Sequence, residues 1–159
     1  MPDNWQWREG PIGPGQTVVF DMDGVLSDAA GRQHYLEWPY RDWESFFEAC
    51  GDDALIDEVA RLLDVISDDY RVILLTARPI RVQPQTLAWL KRYELRWDLL
   101  VMRSAWDYES SRDFKRRSVA ELRGYGFDLR LAFEDDRRNY LMFHEEGVPC
   151  IYIHSGYYD

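Results

Sequence analysis

Short apolar runs that alternate with amphipathic segments are the feature that most constrains how this chain can fold. Runs rich in β-branched and aromatic residues have the length of buried parallel strands. They occupy residues 17–20, 71–75, 99–102, 129–133 and 150–153. Segments with apolar residues at helical spacing separate them and span residues 55–66, 84–93, 112–123 and 137–146. The alternation predicts an α/β domain with a five-stranded parallel sheet flanked by helices.

The spacing of these segments also predicts the domain organisation. A chain of 159 residues has room for one domain. Residues 1–15 lack periodicity and end in prolines and glycines, so we predict an N-terminal arm followed by a single domain over residues 16–159. Residues 27–52 are far longer than the usual connection of ~2 to 6 residues. They are rich in aromatic residues, and we predict a small flap insertion after the first strand. This flap either covers the core or shapes a substrate entrance.

The composition restricts the partners and the compartment. With 19 Lys and Arg against 29 Asp and Glu, the net charge of -10 opposes long-range attraction to nucleic acids and anionic membranes. The two cysteines, Cys50 and Cys150, are too few for a disulfide scaffold or a Cys-rich zinc module. No apolar run approaches the ~20 residues that a membrane helix needs, and no leader pattern is seen. We therefore expect a cytoplasmic protein without membrane contact.

The segment DMDGVL at residues 21–26 is the strongest candidate for a functional site. Asp21 and Asp23 end a buried apolar strand, and the period of two places both carboxylates on one side if the strand continues that far. Gly24 allows the backbone to turn sharply. Ligands of parallel sheets bind at the carboxyl ends of the strands, which is where these carboxylates lie.

Polar residues follow other predicted strands at the same edge of the sheet. Lys115 begins the inward-facing stripe of the third predicted helix, whose first turn lies over this edge. The residues that follow the second and fourth strands are Thr76, Ala77 and Arg78, and Glu134, Asp135 and Asp136.

This clustering of carboxylates predicts a bound cation. Two carboxylates ~4 Å apart repel each other by ~4 kcal/mol at an effective dielectric constant of ~20. Lys115 alone does not compensate several of them. A hard divalent cation does, and an all-oxygen ligand set without a His or Cys cluster favours Mg²⁺ over zinc. The candidate metal-binding residues are Asp21, Asp23, Glu134, Asp135 and Asp136.

The same residues are suited to phosphoryl transfer. Asp21 would attack phosphorus in line and form an aspartyl-phosphate. Asp23 would protonate the leaving oxygen and then deprotonate the attacking water. Lys115 would neutralise charge on the phosphoryl group, while Thr76 and backbone amides hold its oxygens. The predicted activity is phosphomonoester hydrolysis.

In this order and spacing, the motifs resemble those of the haloacid dehalogenase (HAD) superfamily of phosphatases over residues 17–156. The matching segments are DMDGVL at Asp21, LLTAR at Leu74, Lys115, and FEDD at Phe133. The resemblance implies a single Rossmann-like domain, here without a large cap. It also implies a magnesium ion held by Asp21, the backbone carbonyl of Asp23 and an acidic residue of the fourth motif, with Asp135 favoured over Asp136.

Within the superfamily the chain is most similar to the 3'-phosphatase domain of phage and bacterial polynucleotide kinases. The similarity lies in flap residues 32–47, in residues 99–115 and in the ending Ser155-Gly156. It implies a nucleic acid 3'-phosphate end as substrate, with flap aromatics that stack on a base. The candidate substrate-binding residues are Gly24, Arg32, His34, Ala77 and Arg78, and the arginines that would add local positive potential are Arg78, Arg103, Arg112, Arg116 and Arg117.

Two alternatives remain open at the level of sequence. Val25 and the pair Ser27-Asp28 also resemble the deoxyribonucleotidases, so a small-molecule 5'(3')-nucleotidase is the second hypothesis. The third is an inactive binding module that has kept the HAD fold for a protein partner.

Overall fold

The structure, a computed structural model, describes residues 1–158 and contains a six-stranded sheet and a separate two-stranded one. In chain order the strands are β1 (Trp5–Trp7), β2 (Gln16–Phe20), β3 (Ser27–Asp28), β4 (Ala54–Leu55), β5 (Arg71–Pro79), β6 (Leu99–Arg103), β7 (Asp128–Glu134) and β8 (Cys150–Tyr152). The helices are α1 (Trp43–Glu48), α2 (Asp57–Val65), α3 (Gln83–Arg92), α4 (Ser111–Tyr125) and α5 (Arg137–Glu145).

The large sheet has the strand order β1-β6-β5-β2-β7-β8. The predicted parallel strands are all present, but the prediction of a five-stranded sheet was wrong, because β1 adds an antiparallel strand beside β6. β1 is short, and its two buried tryptophans, Trp5 and Trp7, cannot be distinguished in sequence from residues that pack back from a loop. The edge strand therefore comes from residues 1–15, which the sequence pattern assigns to an arm.

Helices cover both faces of this sheet, which explains why its strands are continuously apolar. Leu74 faces a core that includes Trp89 of α3, while its neighbours Ile73 and Leu75 face a second core that includes Phe114 of α4. Each buried large apolar side chain contributes about 1.5 to 3 kcal/mol to folding. Burial on both faces fixes the strand register, and so fixes which residues emerge at the carboxyl edge.

Glycines in left-handed conformations mark the ends of the last two long helices. Gly147 has φ 76° and lies just beyond α5. The predicted end of α4 before Gly124 was wrong, because the helix continues to Tyr125 and Gly126 takes the left-handed conformation with φ 114°. A glycine costs a helix interior only about 1 kcal/mol, so Gly124 need not end it.

The predicted flap is an ordered insertion that begins directly after the DMDGVL segment. β3 and β4 close its base as an antiparallel pair, and between them lie α1 and 3₁₀ turns at Ala30–Leu36 and Ala49–Asp52. Asp42 caps α1 by accepting a hydrogen bond from the Ser45 backbone N–H at 3.1 Å. This arrangement places the flap beside the carboxyl edge of the sheet.

Candidate active site

Three acidic residues and one lysine converge at the carboxyl ends of β2 and β7. Carboxylate oxygens of Asp21, Glu134 and Asp135 lie within 4.8 Å of one another, and all three residues are buried. Lys115 reaches this cluster from the first turns of α4 and is 1% exposed. Its Nζ donates hydrogen bonds to Asp21 Oδ1 at 3.0 Å and to Glu134 Oε2 at 2.8 Å. The structure therefore brings these four side chains together at one edge of the sheet.

The chemistry of this cluster fits a hard divalent cation. Burial and the neighbouring Asp21 raise the pKa of Glu134 and of Asp135, with Lys115 opposing the rise at Glu134. Burial would lower the pKa of Lys115, but the adjacent carboxylates reverse this, so Lys115 remains charged. Asp135 Oδ1 is buried without a hydrogen-bond partner among the described residues. One lysine thus faces three carboxyl groups, and an orphaned oxygen is available to a cation.

Gly24 and Ser155 fix the orientation of Asp135. Gly24 has φ 82°, and a Cβ built on it would lie 2.1 Å from Asp135 Oδ2, so only glycine fits this turn. Ser155 Oγ donates a hydrogen bond to the same oxygen at 2.7 Å. With Oδ2 held in this way, Oδ1 is the oxygen left for a ligand. Ser155 follows the last strand, so, like the other polar residues of the site, it lies at the carboxyl edge of the sheet.

Asp136 does not join the acidic cluster, although it was a candidate metal residue. It caps α5, where its Oδ1 accepts a hydrogen bond from the Arg138 backbone N–H at 2.9 Å, and its Oδ2 pairs with the Arg138 guanidinium at 3.1 Å. The Asp23 side chain also lies outside the cluster, and its carboxylate is engaged by arginines. The candidate side-chain ligands for a cation are therefore reduced to Asp21, Glu134 and Asp135.

Asp23 is held between two buried arginines. Arg78 and Arg32 place NH2 atoms 2.6 Å and 2.7 Å from Asp23 Oδ1. Burial alone would raise the pKa of Asp23, but the two guanidinium groups outweigh it and lower the pKa to about 2. Both arginines were candidate substrate-binding residues, and in this structure their charge is directed at Asp23.

Asp53 anchors the flap to this network and is a residue that the sequence analysis missed. Arg32 donates to both Asp53 oxygens, at 2.8 Å and 2.6 Å, and Ser27 Oγ donates to Asp53 Oδ2 at 2.5 Å. An Asp in a Gly-Asp-Asp turn is usually solvated, so only the fold reveals its buried partner. The arginine connects the flap with Asp23.

A groove of about 950 Å³ opens above the acidic cluster. Thr76 and Ala77 line it, and the Thr76 hydroxyl accepts a hydrogen bond from the Arg78 backbone N–H at 3.1 Å. His34 does not line the groove. The His34 ring is exposed and packs against Tyr35, with the two ring centroids 4.1 Å apart. Residues of the flap and of the loop 104–110 both line the groove. Trp43 and Tyr108 are two of the exposed aromatic residues that line it, while Phe47 is half-buried.

The five arginines predicted to add positive potential differ in their surroundings. Arg112, Arg116 and Arg117 lie on α4 and pair with carboxylates of the protein itself. Arg78 is in the ion pair described above. Arg103 lines the groove, and no carboxylate among residues 1–158 pairs with it.

No helix within residues 1–158 is long and apolar enough to span a bilayer.

Comparison with solved structures shows which fold this chain shares with known proteins. A class C acid phosphatase from Bacillus anthracis with tungstate bound is 14% identical, with 94% of this chain and 70% of that chain covered and a TM-score of 0.62. A haloacid dehalogenase-like hydrolase from Streptococcus pneumoniae is 15% identical, with 88% and 87% covered and a TM-score of 0.58. These neighbours share the Rossmann-like fold of the HAD superfamily. A search of the curated proteins finds no significant match.

Residues 15–158 match the family model described as the polynucleotide kinase PNKP phosphatase domain. The chain belongs to this family and is a HAD phosphatase, in agreement with the resemblance found in the sequence. Two solved structures of Pnkp1/Rnl/Hen1 complexes, one described as an RNA repair complex, are 26% and 25% identical with TM-scores of 0.75 and 0.76. The matches cover 90% and 98% of this chain but 47% and 48% of those chains, so this chain spans about half their length.

Proposed function

We propose that this phosphatase removes 3'-phosphates from nucleic acid ends through an aspartyl-phosphate on Asp21, with Mg²⁺ as cofactor. The observation that carries the proposal is the buried cluster of Asp21, Glu134, Asp135 and Lys115 in a chain of the PNKP phosphatase family. The relatives in RNA repair complexes support a nucleic acid substrate and repair partners. The cytoplasmic location expected from the sequence stays a prediction.

Each proposed role follows from the position of the residue. Asp21 attacks phosphorus, the bond from phosphorus to the 3' oxygen breaks, and that oxygen takes a proton from Asp23, which is thereby ionised. Water then attacks the aspartyl-phosphate, releasing inorganic phosphate and restoring Asp21. Arg32 and Arg78 favour the ionised Asp23, which is the form that accepts the proton of this water. Lys115 orients Asp21, and Thr76 lies on the groove wall where phosphoryl oxygens arrive.

Asp21, Glu134 and Asp135 are the side chains that would hold Mg²⁺. The bound ion would neutralise the phosphate and the charge that develops in the transition state. The orphaned Asp135 Oδ1 supports this assignment, since a buried oxygen without a partner is rare in folded proteins.

Asp21→Asn tests the nucleophile because it keeps the shape of the side chain. We expect hydrolysis of p-nitrophenyl phosphate to fall by at least about 10³-fold, as loss of a nucleophile does in other enzymes. Mass spectrometry of acid-quenched enzyme should find a phosphorylated peptide containing Asp21 in the wild type only. Asp64→Asn, an exposed change of the same charge on α2, should leave the rate unchanged. An unchanged rate in Asp21→Asn, or a phosphorylated peptide elsewhere, would refute the assignment.

Substrate comparison tests the 3'-phosphatase against the nucleotidase alternative. Wild-type enzyme should hydrolyse a 3'-phosphorylated oligonucleotide with a higher kcat/KM than nucleoside 3'- or 5'-monophosphates. Equal values on oligonucleotide ends and mononucleotides would instead favour a small-molecule nucleotidase.

A further inference from the structure

Arg103 stands out among the arginines that line the groove. Arg78 pairs with Asp23, Arg81 pairs with Glu48, and Arg138 pairs with Asp136. Arg41 also lines the groove without an ion pair among residues 1–158, but it is exposed to solvent, whereas Arg103 is partly buried. No carboxylate within residues 1–158 lies within ion-pair distance of the Arg103 guanidinium, although burial removes part of its hydration. A partly buried cation without a counter-charge is costly, and this one faces a groove in a protein with a net charge of -10.

The surroundings of Arg103 position its guanidinium but leave its buried Nε–H without a hydrogen-bond acceptor among residues 1–158. Its Nε is buried and has no hydrogen-bond partner among the described residues. The ring of Phe114 lies 5.5 Å from its Cζ. Burial lowers the pKa of Arg103, and Asp107 and Glu109 oppose this only at longer range. An anion in the groove would supply both the missing charge and acceptors for the free N–H groups.

The strand register places Arg103 at a defined distance from the nucleophile. Phe20 pairs with Leu74 and the next residue of β5, Leu75, pairs with Val101, so Asp21 is level with Val101 of β6. Arg103 lies two residues further along β6, toward the groove. Two strand spacings separate β2 from β6, which is about 10 Å. A phosphorus atom in contact with Asp21 is therefore separated from Arg103 by a distance that one nucleotide can span.

We propose that Arg103 binds the phosphodiester that precedes the terminal 3'-phosphate of the substrate. The proposal rests on the proposed function and adds the group that distinguishes a polynucleotide end from a free nucleotide. The terminal phosphate itself belongs beside Asp21 and Lys115. The next anionic group along the chain is the internal phosphodiester, and a planar guanidinium matches its oxygens.

A substrate pair that differs only in charge at the internal linkage tests this. The probes are a nucleoside 3'-phosphate, a dinucleotide 3'-phosphate, and the same dinucleotide with a neutral methylphosphonate linkage. Arg103→Gln should lower kcat/KM for the charged dinucleotide by about tenfold, since hydrogen bonds to charged groups contribute on that order. It should leave hydrolysis of the nucleoside 3'-phosphate within about twofold of wild type. Wild-type enzyme should prefer the charged dinucleotide over the neutral one by the same factor, and Arg103→Gln should not.

Two further variants control for charge and folding. Arg103→Lys keeps the charge and should retain most of the preference for the charged linkage. Arg61→Gln removes the same charge from a well-exposed pair with Asp57 on α2 and should change none of the three rates. Hydrolysis of p-nitrophenyl phosphate measures the active fraction of each preparation.

The outcomes are distinguishable. Equal losses on the nucleoside 3'-phosphate and the dinucleotide, or no preference of the wild type for the charged linkage, would overturn the role of Arg103 and leave the 3'-phosphatase standing. If the wild type cleaves p-nitrophenyl phosphate but none of the 3'-phosphates, the proposed function fails and the Arg103 proposal fails with it.

Discussion

Asp135 and Asp136 are adjacent in sequence but have different surroundings, and this difference predicts separate effects. Asp135→Asn should weaken Mg²⁺ binding by at least about 10- to 100-fold, because it alters the residue that carries the orphaned oxygen. Asp136→Asn should leave affinity within about threefold, since asparagine also caps a helix well. Calorimetric titration with Mg²⁺ measures both values. Equal losses of Mg²⁺ affinity in the two variants would show that Asp136 contacts the metal as well as Asp135.

Gly24 predicts a second residue-scale effect. Gly24→Ala places a methyl group 2.1 Å from the original position of Asp135 Oδ2 and imposes a positive φ on alanine. We expect at least about a 100-fold loss of p-nitrophenyl phosphate turnover with the circular dichroism spectrum retained. Gly31→Ala is the matched control, because a Cβ there meets no atom within 4 Å. Near-wild-type turnover in Gly24→Ala would mean that the turn can shift without moving Asp135.

Most of the acidic cluster could be predicted from sequence because one geometric rule locates it. Residues that directly follow parallel strands share an edge, which brings Asp21, Glu134 and Asp135 together. Asp53 follows no such rule, since its contact with Arg32 joins two parts of the flap. The same limit applies to His34, whose nearness in sequence to Asp23 did not translate into a place in the groove.

At the scale of elements, burial decided what the sequence could predict. β2, β5, β6 and β7 are covered on both faces, so their apolar runs are unambiguous. β1 was missed because it is short and pairs at the edge, where the pattern of Trp5–Trp7 carries little strand signal. The flap was predicted as an insertion, but its internal turns depend on contacts between distant residues and have no periodicity to detect.

The flap predicts how substrate size affects turnover. Trp43 lines the groove and is 46% exposed, whereas Trp38 is 90% exposed and does not line it. Stacking of a base on an aromatic ring contributes about 1 to 3 kcal/mol, so Trp43→Ala should lower kcat/KM on a 3'-phosphorylated trinucleotide by about tenfold. Hydrolysis of p-nitrophenyl phosphate should not change, and Trp38→Ala should affect neither substrate. Equal effects of the two substitutions on the trinucleotide would exclude a stacking role for the groove wall.

At the scale of the whole molecule, the positive charge in the groove and the negative net charge of the protein act on an anionic substrate in opposite directions. The groove presents Arg103, which no carboxylate of residues 1–158 pairs with, while the protein as a whole carries a net charge of -10. In the proposed function, the Arg103 guanidinium acts on the last nucleotides of a strand. The net field acts on every phosphate of a strand that extends beyond the groove, over a distance set by the ionic strength.

This opposition predicts a dependence on substrate length that reverses the usual behaviour of nucleic-acid enzymes. A 3'-phosphorylated 20-mer and a trinucleotide share the contacts inside the groove, so the ratio of their kcat/KM values reports the field outside it. At ~10 mM salt, where the screening length is ~30 Å, the 20-mer should be the poorer substrate. Near ~150 mM salt, where that length falls to ~8 Å, the ratio should approach one because the repulsion is screened. A 20-mer that is preferred at low salt, with the preference lost as salt rises, would instead indicate a basic track beyond the groove.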